Sequence, residues 1–406
     1  MSTQQPPLRF TSHHCLPHRL VLSTLLGRTV HISQIRPSSP TTPGLSPSDI
    51  SFLRLLEAVT NGSHIEISYT GTVLLYKPGL ITGSAPGSGA NAAGVLRHEV
   101  PASNTRGLSY FLLPICLLAP FSKSKFNILF SGPGVITSSV DKWGDMSVDS
   151  VRTAILPLYE KFGIERDIEL RVLQRANTPS SKGTHAGGEV QLIFNHQIRL
   201  PKTLHMLSPG RIKKVRGVAY STGVSGGNNA RSIEAARGVL NALCGDVYVF
   251  SDVSSAPMAT VPNAGASGAG KRKMNLGFGL SLVAESSTRC LFSADMSSPP
   301  EGGVPPEDIG QSCAFKLLES VQRGGCVSTE AAPTILTLMA MGSEDVGRVQ
   351  LGKDVVASEN VIQLARDLQA FGGAGWGFRE AGEDKADEVV VSVVGNGIGN
   401  VGRKVG

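Results

Sequence analysis

Gly277-Phe-Gly-Leu-Ser-Leu-Val-Ala-Glu285, then Pro306-Glu-Asp-Ile-Gly310, then Arg323-Gly-Gly-Cys-Val327: these three stretches, in this order, decide the fold. Apolar alternation over Phe278 to Ala284 predicts a strand, since successive side chains of an extended chain face opposite ways, and 306–322 reads as a helix. Working outward, a similar grammar recurs: an apolar-periodic helix, a Gly/Pro-rich loop, a second helix, then a glycine before strands. A first copy has helices over 18–26 and 48–60, the second with Ile50, Leu53, Leu56 and Val59 at helical spacing and Ser48 as cap, then strands over 65–69 and 73–76. A second places helices near 106–118 and 148–162, with Gly163 ending the latter before a strand at 168–173. A third begins with a strand over 189–194 and is interrupted. Residues 204–275 read as their own α/β unit: strand 214–220, helix 230–243, strand 246–251. Periodicity alone supports an α/β protein with mixed sheets. Thr82 to Gly94 and Ser254 to Gly270, rich in Gly, Ala, Ser and Pro, read as disordered loops.

The three opening stretches resemble consecutive landmarks of the RNA 3′-terminal phosphate cyclase superfamily. His18-Arg-Leu-Val-Leu-Ser-Thr24, Pro43-Gly-Leu45, Asn61-Gly-Ser63, Tyr76-Lys-Pro-Gly-Leu80 and Asp308-Ile-Gly310 are similar to its eukaryotic, nucleolar, non-cyclase branch, over roughly residues 15 to 350. The resemblance implies three related α/β repeat units of the cyclase type with a small α/β domain inserted into the last. The expected boundaries are 1–95 for the first unit, 96–184 for the second, 185–203 with 276–406 for the third and a C-terminal extension, and 204–275 for the inserted basic domain.

The resemblance also implies a site, and here the sequence departs from it. In active cyclases a histidine shortly after the last landmark attacks the α-phosphate of ATP. In this chain the window reads Ser328-Thr329-Glu330-Ala331-Ala332-Pro333, and no histidine follows His205. Neither the Thr329 hydroxyl nor the Glu330 carboxylate replaces an imidazole, which attacks while neutral and leaves from a phosphoramidate. Active cyclases open with an acidic, glycine-rich segment; the matching stretch here is Phe10-Thr-Ser-His-His-Cys-Leu-Pro-His-Arg19, with no glycine before Gly27 and no acid before Asp49. That removes the backbone nest for phosphates and a metal-holding carboxylate. No catalytic residue and no cofactor are expected.

Charge points to another use. Residues 204–275 hold nine Lys or Arg against three acids, so 9 − 3 = +6, the whole formal charge, while the remainder balances at 29 of each sign. Arg211, Lys213, Lys214, Arg216, Lys271, Arg272 and Lys273 are the expected RNA phosphate-binding residues. Strand alternation places Arg211 and Lys213 on one face, Lys214 and Arg216 on the other. No aromatic alternates with these bases along the chain, which favours structured or duplex RNA over stacked single strands. Arg366 and Asp367, on a helix expected over 359–370 behind Ser358, are the candidates for RNA cleavage, as a phosphate clamp and a base for a 2′-hydroxyl; a solvated helix face is the ordinary reading.

Six scattered cysteines with no Cys-x-x-Cys pair argue against a structural zinc and a disulfide framework, and His13, His14 and His18 lack neighbouring acids, so no metal site is expected. The apolar run from Leu108 to Phe121 is broken by Pro114 and Pro120 and is too short to span a bilayer; no membrane or secretory route is expected. What the resemblance implies is a pseudo-enzyme of ribosome biogenesis in the nucleus and nucleolus, working in the small-subunit processome during early pre-rRNA cleavages. Its implied partners are a large ribosome-assembly GTPase, the U3 small nucleolar ribonucleoprotein, pre-rRNA and other processome proteins. The alternatives are an endonuclease acting on pre-rRNA or a residual cyclase.

Overall fold

One strand order occurs three times. The computed structural model describes residues 5–85, 89–165, 167–180, 186–195, 197–198, 200–262, 269–373, 375–382 and 386–397. The first unit runs β1 (Leu8–Thr11), α1 (Leu16–Leu26), β2 (Val30–Ser33), α2 (Pro47–Val59), β3 (Thr60–Asn61), β4 (His64–Ile67), β5 (Leu74–Lys77) and β6 (Leu80–Ile81). Its sheet is ordered β1-β2-β5-β4, the first pair parallel and the rest antiparallel, with β3 and β6 paired apart from it. The second unit runs β7 (Leu96–Glu99), α3 (Ser109–Leu118), β8 (Phe126–Ser131), α4 (Val148–Ser150), β9 (Ile168–Gln174) and β10 (Glu189–Phe194), ordered β7-β8-β10-β9 with the same sense of pairing.

A third unit opens at β11 (His205–Met206) and is then interrupted. The interruption comprises β12 (Ile212–Thr222), α5 (Gly227–Leu240), β13 (Val247–Ser254), β14 (Met258–Pro262), β15 (Ala269–Lys273), β16 (Gly277–Ser286), β17 (Leu291–Ser297) and α6 (Pro306–Gln322). The unit resumes with α7 (Ala332–Met341), β18 (Val346–Gly352), α8 (Lys353–Val356), α9 (Glu359–Ala370), β19 (Gly377–Glu380) and β20 (Glu388–Val394), ordered β11-β18-β20-β19. Numbered within its own unit, every sheet is therefore 1-2-4-3.

Several expected boundaries move. The strand at 189–194 closes the second sheet between β8 and β9 rather than opening the third unit, because its alternating Val190, Leu192 and Phe194 fill the second core. The expected break at 275/276 cuts through a sheet: β13-β12-β16-β17 is one four-stranded sheet, and α5 and α6 pack on each other across it. The insertion thus reaches through α6. Part of the stretch expected to be disordered, 254–270, forms the β14-β15 hairpin; residues 263–268 lie outside the described residues, as do 86–88 of the other predicted loop.

Local chemistry accounts for the helices. Ser46, not Ser48, caps α2: Pro47 takes the first helical position, the Ser46 hydroxyl accepts the Asp49 amide and the Asp49 carboxylate accepts the Ser46 amide, a reciprocal capping box. The expected helix 148–162 is α-helical for one turn, then a π-helix at 151–155 and a 3-10 helix at 156–162. Pro157 has no N–H to donate to the carbonyl of Thr153, so the ladder changes pitch there. The units meet through helices: the apolar α1 on α3 and α3 on α7, and the amphipathic α9 on α1. Leu16, Leu20, Phe111, Leu112, Ile335 and Leu338 are fully buried there, each contributing about 1.5–3 kcal/mol.

Two landmark glycines are packing devices. A Cβ on Gly310 of α6 would lie 2.2 Å from the Ser232 carbonyl of α5, so the helices can cross this closely only at glycine. At Gly325, φ is +76° and a Cβ would lie 2.6 Å from the backbone of Leu351 and Gly352 in β18.

Candidate functional site

The window where a cyclase carries its nucleophile lies between α6 and α7. Cys326 ties it to β18 through its amide to the Gln350 carbonyl at 2.7 Å, and the Ser328 carbonyl accepts the amides of Ala331 and Ala332 to start α7. Thr329 accepts a hydrogen bond from Arg323 Nη1 at 3.3 Å, and Arg323 also pairs with Glu319 at 2.7 Å. The Thr329 hydroxyl therefore faces a cation, not a base that could take its proton. Glu330 is exposed at the edge of a cavity of about 320 Å³ whose other ionisable walls are Asp141, Asp145, Asp295, Lys316, Glu319 and Arg323. Three of these acids are paired with cations, Asp141 with Lys316, Asp145 with Arg106 and Glu319 with Arg323, and neither Thr329 nor Glu330 can form the phosphoramidate that adenylate transfer requires. Asp295 is also a structural cap. It accepts the Ser147 amide at 2.9 Å and the Ser147 and Ser150 hydroxyls at 2.8 Å each, holding the start of α4 against β17, while burial pushes its carboxyl up.

The opening segment has a structural role. Ser12 and Cys15 have φ of +72° and +54°, left-handed positions that glycine favours, around a tight entry into α1. Arg19 Nη1 donates to the carbonyls of Thr11 and Ser12 at 3.1 and 3.2 Å, and its Nε donates to Asp367 Oδ2 at 2.9 Å. Gln363 donates to the other Asp367 oxygen at 2.7 Å. Asp367 is 2% exposed and Arg366 is exposed. The two nuclease candidates consequently point to different environments: the expected base is sealed in the joint between first and third units, where a 2′-hydroxyl cannot reach it.

The expected basic surface divides. Lys214 pairs with Glu285 at 2.9 Å, and Arg216 makes a two-pronged pair with Asp246 at 2.9 and 2.8 Å, so acids distant in sequence offset both. Arg211 and Lys213 are exposed beside the β12 bulge. Lys271, Arg272 and Lys273 are exposed on β15, just before β16, whose first residue pairs with the last residue of β12. The two clusters thus lie at opposite ends of β12, an 11-residue strand about 33 Å long.

Between the insertion and the second unit lies a cavity of about 350 Å³. Its floor is a buried guanidinium: Arg175 of the second unit donates to Asp149 at 2.6 and 3.2 Å and to Asp252 of β13 at 2.6 Å, and lies 5.0 Å over the Tyr220 ring. At its mouth is Phe250, with Tyr248 beside it. The sequence reading missed these rings, because it sought aromatics alternating with bases along the chain. The parallel register of β12 and β13 places Arg216 opposite Tyr248 and Val218 opposite Phe250, an alternation across strands. The readable signal was Tyr248-Val-Phe250 itself: two rings on one face of a strand.

Comparison with known proteins agrees with this architecture. The sequence model for the RNA 3′-terminal phosphate cyclase family matches residues 8–376. The chain is 37% identical over 406 residues to the rRNA processing protein rcl1 of Schizosaccharomyces pombe, covering 100% of both. It is 37% identical over 412 residues to the human RNA 3′-terminal phosphate cyclase-like protein, covering 99% of each. To the rRNA processing protein RCL1 of Saccharomyces cerevisiae it is 35% identical over 389 residues, covering 95% of each.

Proposed function

The chain belongs to the RNA 3′-terminal phosphate cyclase family, and from that premise we propose that it acts in rRNA processing as a non-catalytic factor. The observation that carries this reading is the chemistry of the nucleophile window: Thr329 beside Arg323, a carboxylate at Glu330, and no histidine after His205. Names of full-length relatives supply the process, rRNA processing. On this reading the chain works in the nucleolus within the small-subunit processome. There its three-unit body docks a large ribosome-assembly GTPase near the U3 ribonucleoprotein, and its insertion faces pre-rRNA through Arg211 and Lys213 at one end and Lys271, Arg272 and Lys273 at the other. A nuclease built on Arg366 and Asp367 is disfavoured by the burial of Asp367.

The test has two arms. Purified protein is incubated with ATP labelled at the α-phosphate and an RNA bearing a 3′-phosphate; no label should survive denaturation on the protein and no cyclic end should form. In cells depleted of the endogenous relative, this chain should restore early pre-rRNA cleavage on northern blots. A covalent adenylate would overturn the non-catalytic reading, and failure to rescue would overturn the rRNA-processing one.

A further inference from the structure

Strand β13 is an edge of its four-stranded sheet. Its Val247 and Val249 are buried on the side of α5, while Tyr248 and Phe250, on the alternate positions, are 55% and 56% exposed. The two rings meet edge to face with centroids 4.7 Å apart. Register puts Arg216 and Val218 of β12 on the same open face, with Lys214 two residues before Arg216. Two large rings left to water beside guanidinium and ammonium groups are costly as surface and well suited to flat, anionic ligands. The cavity beside Phe250 continues the face inward; its walls combine Val172, Val218 and Val283 with Arg152, Thr153 and Asp252. Its volume of about 350 Å³ falls within the range of small-ligand pockets.

We propose that this face is a binding site for unpaired RNA: one base stacks on the face of one ring of the Tyr248–Phe250 pair, with the other ring against its edge, and the adjacent nucleotide enters the cavity, its phosphate meeting Arg216. The proposal rests on the rRNA-processing reading for its choice of nucleic acid. Aromatic rings bind bases through the π-face, which is hidden in a duplex, so the site selects single strands. Charge supports the choice over a protein partner, since Arg211 and Lys213 at one end of β12 and Lys271, Arg272 and Lys273 at the other are exposed on the same insertion. The Arg216–Asp246 and Lys214–Glu285 pairs do not block it. Both are partly solvated, and exposed ion pairs contribute little, so a phosphate can replace a carboxylate at small cost. Asp252, whose side chain is 45% exposed at the cavity rim, supplies an acceptor for an exocyclic amino group. The two end clusters then serve as backbone contacts flanking the base-stacking centre.

The test is fluorescence anisotropy of the full-length protein with a labelled ten-nucleotide single-stranded RNA and with the same sequence as a duplex, across a salt series. Tyr248→Ala/Phe250→Ala should raise the single-strand Kd at least tenfold, leave duplex binding and the salt slope unchanged, and leave the circular dichroism spectrum unchanged because both rings are exposed. Tyr248→Phe/Phe250→Tyr, which keeps both rings, should bind within twofold of wild type. Unchanged single-strand affinity in the alanine variant overturns the proposal. If that variant also fails to enter pre-ribosomes, the open edge of β13 docks a protein strand instead. Rescue of rRNA processing by the wild-type chain is scored separately, so failure of the RNA site and failure of the rRNA-processing reading are distinguishable.

Discussion

Replacing Asp367 with Ala should destabilise the protein without touching any chemistry. The carboxylate is 2% exposed and balances Arg19, itself 4% exposed. Removing one member of a buried ion pair costs about 3–5 kcal/mol, mostly because the surviving charge stays buried and unpaired. Arg19 keeps two carbonyl acceptors, Thr11 and Ser12, and Gln363 is near enough to the surface to recover water; the lower end, about 3 kcal/mol, is therefore expected. Urea unfolding should show a lower midpoint at unchanged slope. Arg19→Leu alone should cost a similar amount, whereas Arg19→Leu/Asp367→Ala, which leaves no orphaned charge, should cost much less than the sum, giving a coupling of roughly 2–3 kcal/mol. A loss below about 1 kcal/mol for Asp367→Ala would mean that the joint relaxes or admits water, and the argument from burial would fail.

Three further outcomes are expected. Burial lowers His98 from 6.5 to about 4, so the unfolded chain binds its proton first as pH falls; stability should be intact above pH 6.5 and decline toward pH 4, by at most about 3 kcal/mol, and His98→Gln should flatten that decline in urea titrations at pH 7, 6 and 5. If His98 accounts for none of the acid sensitivity, the two profiles will coincide. Gly310→Ala should cost about 1–3 kcal/mol by pushing α6 off α5, measured by thermal unfolding, and no loss would show that the crossing is loose. Arg211→Ala/Lys213→Ala should reduce the salt slope of RNA binding by about two, whereas Lys214→Ala/Arg216→Ala, of which only Arg216 is assigned a phosphate, should reduce it by about one; equal effects would mean that Lys214 also meets the backbone.

What the sequence revealed was local. Helices α6 and α9 begin and end where periodicity puts them, and β10 matches its expected strand, because each is set by its own apolar pattern and flanking residues. Pairing was not legible. Nothing in Glu189–Phe194 says whether it opens one sheet or closes another, since alternation fixes which face is buried and not which neighbour supplies the hydrogen bonds. The same limit produced the misreading of the basic run: Glu285 and Asp246 lie far along the chain from Lys214 and Arg216 but opposite or beside them in space. Asp367 shows the limit from another side. Its charge suggested a solvated face, yet Arg19, 348 positions away, makes burial tolerable. Within the landmark motifs that pointed to the family, Gly310 and Gly325 answer to backbone crowding.

The interruption of the third unit sets an order of assembly. In the first two units the parallel strands stand close in the chain, Leu8 beside Val30 and Leu96 beside Ile128, whereas the third must bring His205 to Arg348. Closing so long a loop is entropically slow unless the intervening chain folds first and brings its ends together. As the chain leaves the ribosome, the first two sheets can close in turn; β11 has to wait, unpaired, until the insertion has folded and β18 has emerged. The third sheet is then the last to form, because β19 and β20 follow α9 in the chain, and the contact of Asp367 with Arg19 joins an early segment to a late one. Truncation anywhere before 367 would leave Arg19 without the carboxylate that balances it.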